Sequence, residues 1–249
     1  MDWTLGSADT WASMANWLSA LATTLPRQPA AILVISAHWE TPRPTLTAST
    51  SPPLIYDYYG FPAHTYELDY PAPGAPDLAA RCFELLEKKG IAPGLDPDRG
   101  FDHGVFIPLK LIFPDANLPI VQLSLLQGLD PGLHIAMGQA LAPLREQNVL
   151  IVGSGLSSHN LTSMMQPDTE LEGSADFNNW LIDVTAAEPL YCREQLISWR
   201  QAPYARQVHP REEHLIPLMV AAGAAGNDPG RCVFQDQVMG ATAVGIQFG

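Results

Sequence analysis

The sequence has 249 residues, 47% hydrophobic and 16% charged, enough to bury a substantial core and suited to one α/β domain spanning 1–249. Asp and Glu outnumber Lys and Arg by 26 to 13 for a formal net charge of −13, which disfavours nucleic acid and anionic membrane as partners. Cys82, Cys192 and Cys232 show no metal-ribbon or CxxC spacing, no stretch approaches ~18 unbroken apolar residues, and no basic-then-apolar leader opens the chain. A soluble, unexported, cytoplasmic protein with reduced thiols is the expectation.

Taken in order, Ser7-Ala8-Asp9-Thr10 reads as a helix start, and Trp11, Met14, Ala15, Leu18, Leu21 and Leu25 recur at helical spacing up to Pro26, as a core-facing stripe. Ala30 to Ile35 is an unbroken run of small and branched apolar residues, the mark of a strand covered on both faces. It runs into Ser36-Ala37-His38-Trp39-Glu40, and the carboxyl end of a buried strand is where open α/β sheets place their chemistry. Pro42 to Thr50 reads as a second strand. The loop that follows carries Tyr56-Asp57-Tyr58-Tyr59-Gly60-Phe61-Pro62, rings suited to the wall of a pocket for a flat ligand or to pinning the loop itself.

Pro76 to Lys89 is an amphipathic helix stopped by Gly90, and Asp96 to Gly100 a polar turn. Val105 to Phe113 is apolar, with Pro108 read into a first helical turn. Pro119 to Leu125 is a strand, Pro131 to Gln147 a helix, and Val149 to Val152 a buried strand entering Gly153-Ser154-Gly155. After a polar excursion over 162–173 come helices over Ala175–Ala187 and near Glu194–Arg200. A further helix is expected to start at His209-Pro210, with Pro210 at its first position, and to run to Ala225. A hairpin over 232–238 and 241–248 closes the chain, and no repeat or linker divides it.

Seven histidines are present. His38 and His159 follow buried strands in Ser- or Gly-rich turns, and His103 and His214 lie at helix beginnings, where the positive end of the dipole favours a neutral imidazole. Neutral imidazole is the form a divalent metal binds. His134 sits in a helix without polar company and reads as structural. No HExxH pair occurs, so from spacing alone a dispersed histidine metal site is the expectation.

Ser36-Ala37-His38-Trp39-Glu40, Phe61-Pro62 with Tyr70-Pro71-Ala72-Pro73-Gly74, Phe101-Asp102-His103-Gly104, Ser158-His159-Asn160-Leu161 and Pro210 to Pro217 occur together and in order. In this the chain resembles, from Trp3 to Gly249, the DOPA-dioxygenase-type branch of the class III extradiol ring-cleaving dioxygenases, the LigB-like superfamily. The resemblance implies an α/β core sheet with helices on both faces and a mononuclear Fe(II) or Zn(II) at the strand ends. His38 and His214 match metal ligands, His159 the histidine given the acid–base role, and His103 the one facing substrate or dioxygen. All four are expected in one cleft. The implied substrate is a small aromatic diol cleaved with O2, its ring against Tyr56, Tyr58, Tyr59, Phe61 and His64.

The family pattern also opens with a strand ending in Pro-His-Gly, which supplies another metal-binding histidine, whereas this sequence begins at Met1-Asp2-Trp3. Three readings stay open: a start assigned too far downstream (the one preferred), a truncated gene, or a carboxylate such as Glu40 or Glu213 in its place. Two protein ligands alone are expected to hold a divalent ion poorly. Two other functions compete with ring cleavage: a zinc-dependent hydrolase on the same scaffold, and a metal-poor, non-catalytic binding protein.

Overall fold

The computed structural model describes residues 9–166 and 169–249, so the readings of Met1 to Gly6 and of Ser7 and Ala8 lie outside the described residues. The elements run α1 (Ala12–Thr24), β1 (Ala31–Thr41), β2 (Thr45–Thr47), α2 (Pro76–Glu87), β3 (Gly94–Asp96), α3 (His103–Ile112), β4 (Ile120–Leu126), α4 (Pro131–Leu141) and β5 (Val149–Ser154). They continue with α5 (Leu161–Met164), α6 (Ser174–Ala186), α7 (Pro189–Ile197), α8 (Ala205–Val208), α9 (Ile216–Ala224), β6 (Gly230–Val238) and β7 (Ala241–Phe248).

β1 lies between β4 and β5, parallel to both, in a five-stranded sheet of order β3-β2-β4-β1-β5. Buried on both faces, it feeds two cores by strict alternation. Leu33 and Ile35 join Val121, Leu123 and residues of α2, α4, α6, α7 and α9 on one side. Ile32 and Val34 join Ile120, Leu18 of α1 and Val105, Phe106 and Leu109 of α3 on the other. This is the α/β sheet with helices on both faces that the apolar run implies. β6 and β7 form a separate antiparallel hairpin, on which Trp17 of α1 stacks through Phe234, ring centroids 4.8 Å apart.

Several boundaries depart from the sequence reading. β2 shrinks to three residues because Pro42 and Pro44 have no N–H for a ladder. It runs antiparallel to β4 and parallel to β3, a short edge strand that the sequence reading lacks and that ends where the expected turn begins. Pro108 stands inside α3, not in its first turn. The carbonyl it leaves without an intrahelical donor is that of Gly104, and Ser154 Oγ donates to it at 2.5 Å from the end of β5. The last helix begins at Ile216, with Pro217 in its first turn, so Pro210 and His214 precede it in an irregular turn. In that turn Arg200 and Arg206 draw Glu212 into ion pairs at 2.7 Å each, and Glu212 faces inward instead of capping. His134 does have polar company: its Nε2 accepts from Leu126 N at 3.0 Å and its Nδ1 lies 2.6 Å from the Asp130 carbonyl, a satisfied structural histidine.

Candidate active site

β1 carries its chemistry inside the strand. Ile35 faces Leu123 and Glu40 faces Leu125, so β1 bulges between them, and His38 sits in that bulge instead of in a turn beyond the strand. A buried polar network holds the bulge. Ser36 Oγ donates to Asp102 Oδ1 at 2.7 Å and accepts from His38 N at 3.2 Å. Asp102 is fully buried, and Gln122 of β4 and Arg99 (3.3 Å) donate to its other oxygen. A carboxylate at that depth is tolerable only with such partners. Asp102 precedes α3, so the network also fixes where His103 begins that helix, and at Gly104 any side chain would collide with Ser36.

Four imidazoles meet above this network. His38 lies 3.9 Å from His103 and 4.9 Å from His214, centroid to centroid, and His159 stacks on His214 at 3.5 Å with 14° between planes. His159 is set by bonds joining two turns: His159 N donates to Val208 O at 3.1 Å, and Asn160 Nδ2 to Gln207 O at 2.7 Å. His209 strengthens the same seam by donating from Nε2 to Ser157 O at 3.0 Å.

Each outer imidazole has a carboxylate at Nδ1. Asp57 Oδ1 lies 2.8 Å from His103, and Glu213 Oε1 lies 3.2 Å from His159. Asp57 carries no functional signal in the sequence, where it is one polar residue in a tyrosine run. Of the carboxylates considered as replacement ligands, Glu40 is engaged by Arg211, whereas Glu213 stands with His159 and His214 among possible metal donors and its Oε2 is buried without a hydrogen-bond partner. Arg211 Nη2 binds both oxygens of Glu40, at 2.6 and 2.7 Å, and Arg211 Nη1 lies 3.4 Å from Glu213 Oε2.

Burial, followed by the neighbouring His103, lowers the His38 pKa to about 4. Burial, with His159 and His38 beside it, holds His214 well below the ordinary imidazole range. Both rings are therefore neutral near pH 7, and His214 Nδ1 is buried without a hydrogen-bond partner. Burial would raise the Asp57 carboxyl, but the hydrogen bonds from the ring and backbone of His103 outweigh it and bring it below the usual range. Glu213 is lowered in the same way, its burial outweighed by His159, its own backbone N–H and Arg211. Neutral imidazoles with ionised carboxylates close by are the donor chemistry of a mononuclear divalent metal, and two adjoining sets lie close enough to hold one, His38 with Asp57 and His103, and His214 with His159 and Glu213.

The aromatic loop is largely occupied with itself. Tyr56 Oη donates to Leu68 O and Tyr58 Oη to Thr65 O, each at 2.5 Å. Tyr58 also meets His103 edge-on, centroids 5.6 Å apart, with Phe61 against its other side at 5.4 Å. Tyr59 is 91% exposed, and His64 is exposed in a short 3-10 turn. On the other flank a cavity of about 500 Å³ runs between α1, β5, α9 and the hairpin and reaches His214, but its lining includes none of His38, His103 and His159.

Residues 6–247 match the family model for the catalytic LigB subunit of aromatic ring-opening dioxygenase. The chain is 43% identical over 229 residues to the dioxygenase tasH of Hapsidospora irregularis, covering 86% of this chain and 70% of that one. It is 42% identical over 205 residues to a 4,5-DOPA dioxygenase extradiol of Beta vulgaris, 81% of this chain and 75% of the other. The crystal structure of an uncharacterized protein from Escherichia coli K12 superposes with a TM-score of 0.80 at 31% identity, covering 94% of this chain and 92% of that one.

Proposed function

This chain belongs to the LigB family of aromatic ring-opening dioxygenases and is an extradiol ring-cleaving, metal-dependent enzyme; on that premise we propose that it opens a catechol of the DOPA type using Fe(II). The observation that supports the metal assignment most directly is the His38–His214 contact at 4.9 Å, with burial keeping both rings neutral. These two residues would supply two of the ion's ligands, and when bound it supplies the redox chemistry between catechol and dioxygen.

The chain's own groups divide the remaining work. His159, braced at Nδ1 by Glu213, takes a proton from a catechol hydroxyl at its other ring nitrogen. His103 flanks His38 on the far side and presents Nε2 to a substrate hydroxyl. Tyr58 and Phe61 would flank the substrate ring, with Tyr56 behind them against Phe106. Cleavage beside the two hydroxyls places both atoms of dioxygen in a muconic semialdehyde-type product. Neither the zinc hydrolase nor the binding protein is favoured by the relatives found.

The test is anaerobic loading with Fe(II), metal analysis, and then addition of DOPA and oxygen. A yellow ring-opened product, formed as dioxygen is consumed and absent from a Zn(II)-loaded sample, is expected. An iron-loaded chain that consumes neither DOPA nor oxygen sinks the reading, and ester hydrolysis by the Zn(II) form would put the hydrolase in its place.

A further inference from the structure

The aromatic loop and α3 are joined two residues short of a second meeting. Ile55 N donates to Phe101 O and Phe101 N to Pro53 O, both at 2.8 Å, a short parallel bridge between Leu54 and Phe101. Gly100 permits this approach, because a Cβ there would collide with the Pro53 carbonyl. Two residues onward on each side, Asp57 and His103 face one another. A single carboxylate oxygen of Asp57 receives both the backbone N–H of His103, at 3.0 Å, and its ring Nδ1, at 2.8 Å. Tyr56 and Tyr58, on either side of Asp57, are tied by their hydroxyls to Leu68 and Thr65, so the carboxylate is carried by an anchored segment.

We propose that Asp57 is a positioning residue that fixes the tautomer and the facing of His103. An ionised carboxylate only accepts, so the proton it binds on the ring must be on Nδ1, and Nε2 is left as the lone-pair nitrogen beside His38. The backbone N–H holds the same carboxylate oxygen in place, and turning the ring over would break the Nδ1 bond to it. Tyr58 packs against the same ring at a near-right angle, centroids 5.6 Å apart. His103 therefore enters the cleft as a hydrogen-bond acceptor, suited to a catechol hydroxyl that still carries its proton. Asp57 acts here through His103, although its carboxylate also lies within 4.8 Å of a donor atom of His38, and the proposal rests on the catechol reading only for the identity of the group that His103 meets.

The test compares wild type with Asp57→Ala and Asp57→Asn. Nitrogen-15 chemical shifts and long-range couplings of the His103 ring, recorded on metal-free protein, report the tautomer independently of any activity. The expected result is Nδ1–H in wild type and a change to Nε2–H or to a mixture in Asp57→Ala. In the iron-loaded enzyme, kcat is expected to fall about 10–100-fold in Asp57→Ala while bound iron stays at the wild-type level. Asp57→Asn, which keeps the accepting oxygen, should recover part of that loss. Wild type in the Nε2–H form overturns the proposal. So does loss of iron from Asp57→Ala as complete as from His38→Ala, which would make Asp57 a metal donor. A tautomer change in protein that opens no catechol supports this inference while refuting the proposed substrate.

Discussion

On the His103 side of the cluster the bracing is aromatic and near the surface: tyrosines packed on one another, hydroxyls on backbone carbonyls, and one carboxylate between them. On the His159 side it is ionic and deeper. Glu213 pairs with His159, Arg211 with Glu40 and Glu213, Arg206 and Arg200 with Glu212, and His209 lies wholly buried between Phe177 and Trp199. Both sides reach the same end, an imidazole held at Nδ1 by a carboxylate. They differ in what should disturb them: the tyrosine hydroxyl bonds of the aromatic side are insensitive to salt and acid, whereas the arginine ion pairs of the other side depend on both.

The largest effect expected separates the inner rings from the outer ones. His38→Ala or His214→Ala should leave purified protein without bound iron. His159→Ala should keep its iron and lose about 10²–10⁴-fold in turnover, the usual contribution of a positioned proton acceptor. Equal iron loss in all three variants would erase the distinction between metal-holding and proton-carrying histidines.

Acid provides the next test. Burial lowers the His209 pKa from 6.5 to about 4, so the unfolded chain takes up a proton there before the native one does. Native stability should therefore fall as pH drops from 6.5 towards 4, by roughly 3 kcal/mol from this residue alone. Melting curves of wild type and His209→Gln across that window should differ in slope, with the variant flatter. Parallel slopes would mean that His209 titrates freely.

Smaller effects compare the two braces directly. Tyr58→Phe removes one hydrogen bond and should cost about 0.5–1.5 kcal/mol, the same in dilute buffer and in 1 M salt, by urea unfolding. Arg211→Ala breaks an ion pair whose arginine is 55% exposed and should cost no more than about 1 kcal/mol, a difference that high salt removes. A salt-sensitive Tyr58→Phe or a salt-proof Arg211→Ala would reverse the comparison.

Much of the frame is legible in the sequence because it rests on local pattern. The apolar run before Ser36 predicts a doubly covered strand, and the stripe from Trp11 to Leu25 predicts a core helix that starts only at Ala12. His38, His103, His159 and His214 can be picked out by the turns and helix starts around them, and the rings do meet. What escapes is whatever long-range pairing decides. Asp57 acquires meaning only when the 53–55 segment bridges to Phe101. Pro108 can sit inside α3 because Ser154, far along the chain, bonds the carbonyl it releases. The irregular turn before His214 reflects side-chain ion pairs that outweigh the helical signal of His209-Pro210.

The pair between Glu40 and Arg211 joins residues 171 positions apart. For a contact of that span the chain must lose the entropy of closing a long loop before the contact gives anything back. The strand of His38 and the turn of His214 are thus brought together by tertiary contact and not by proximity in the chain. An ion bridging them binds the finished fold and not its precursors, so free metal would slow unfolding and raise the melting temperature with its concentration.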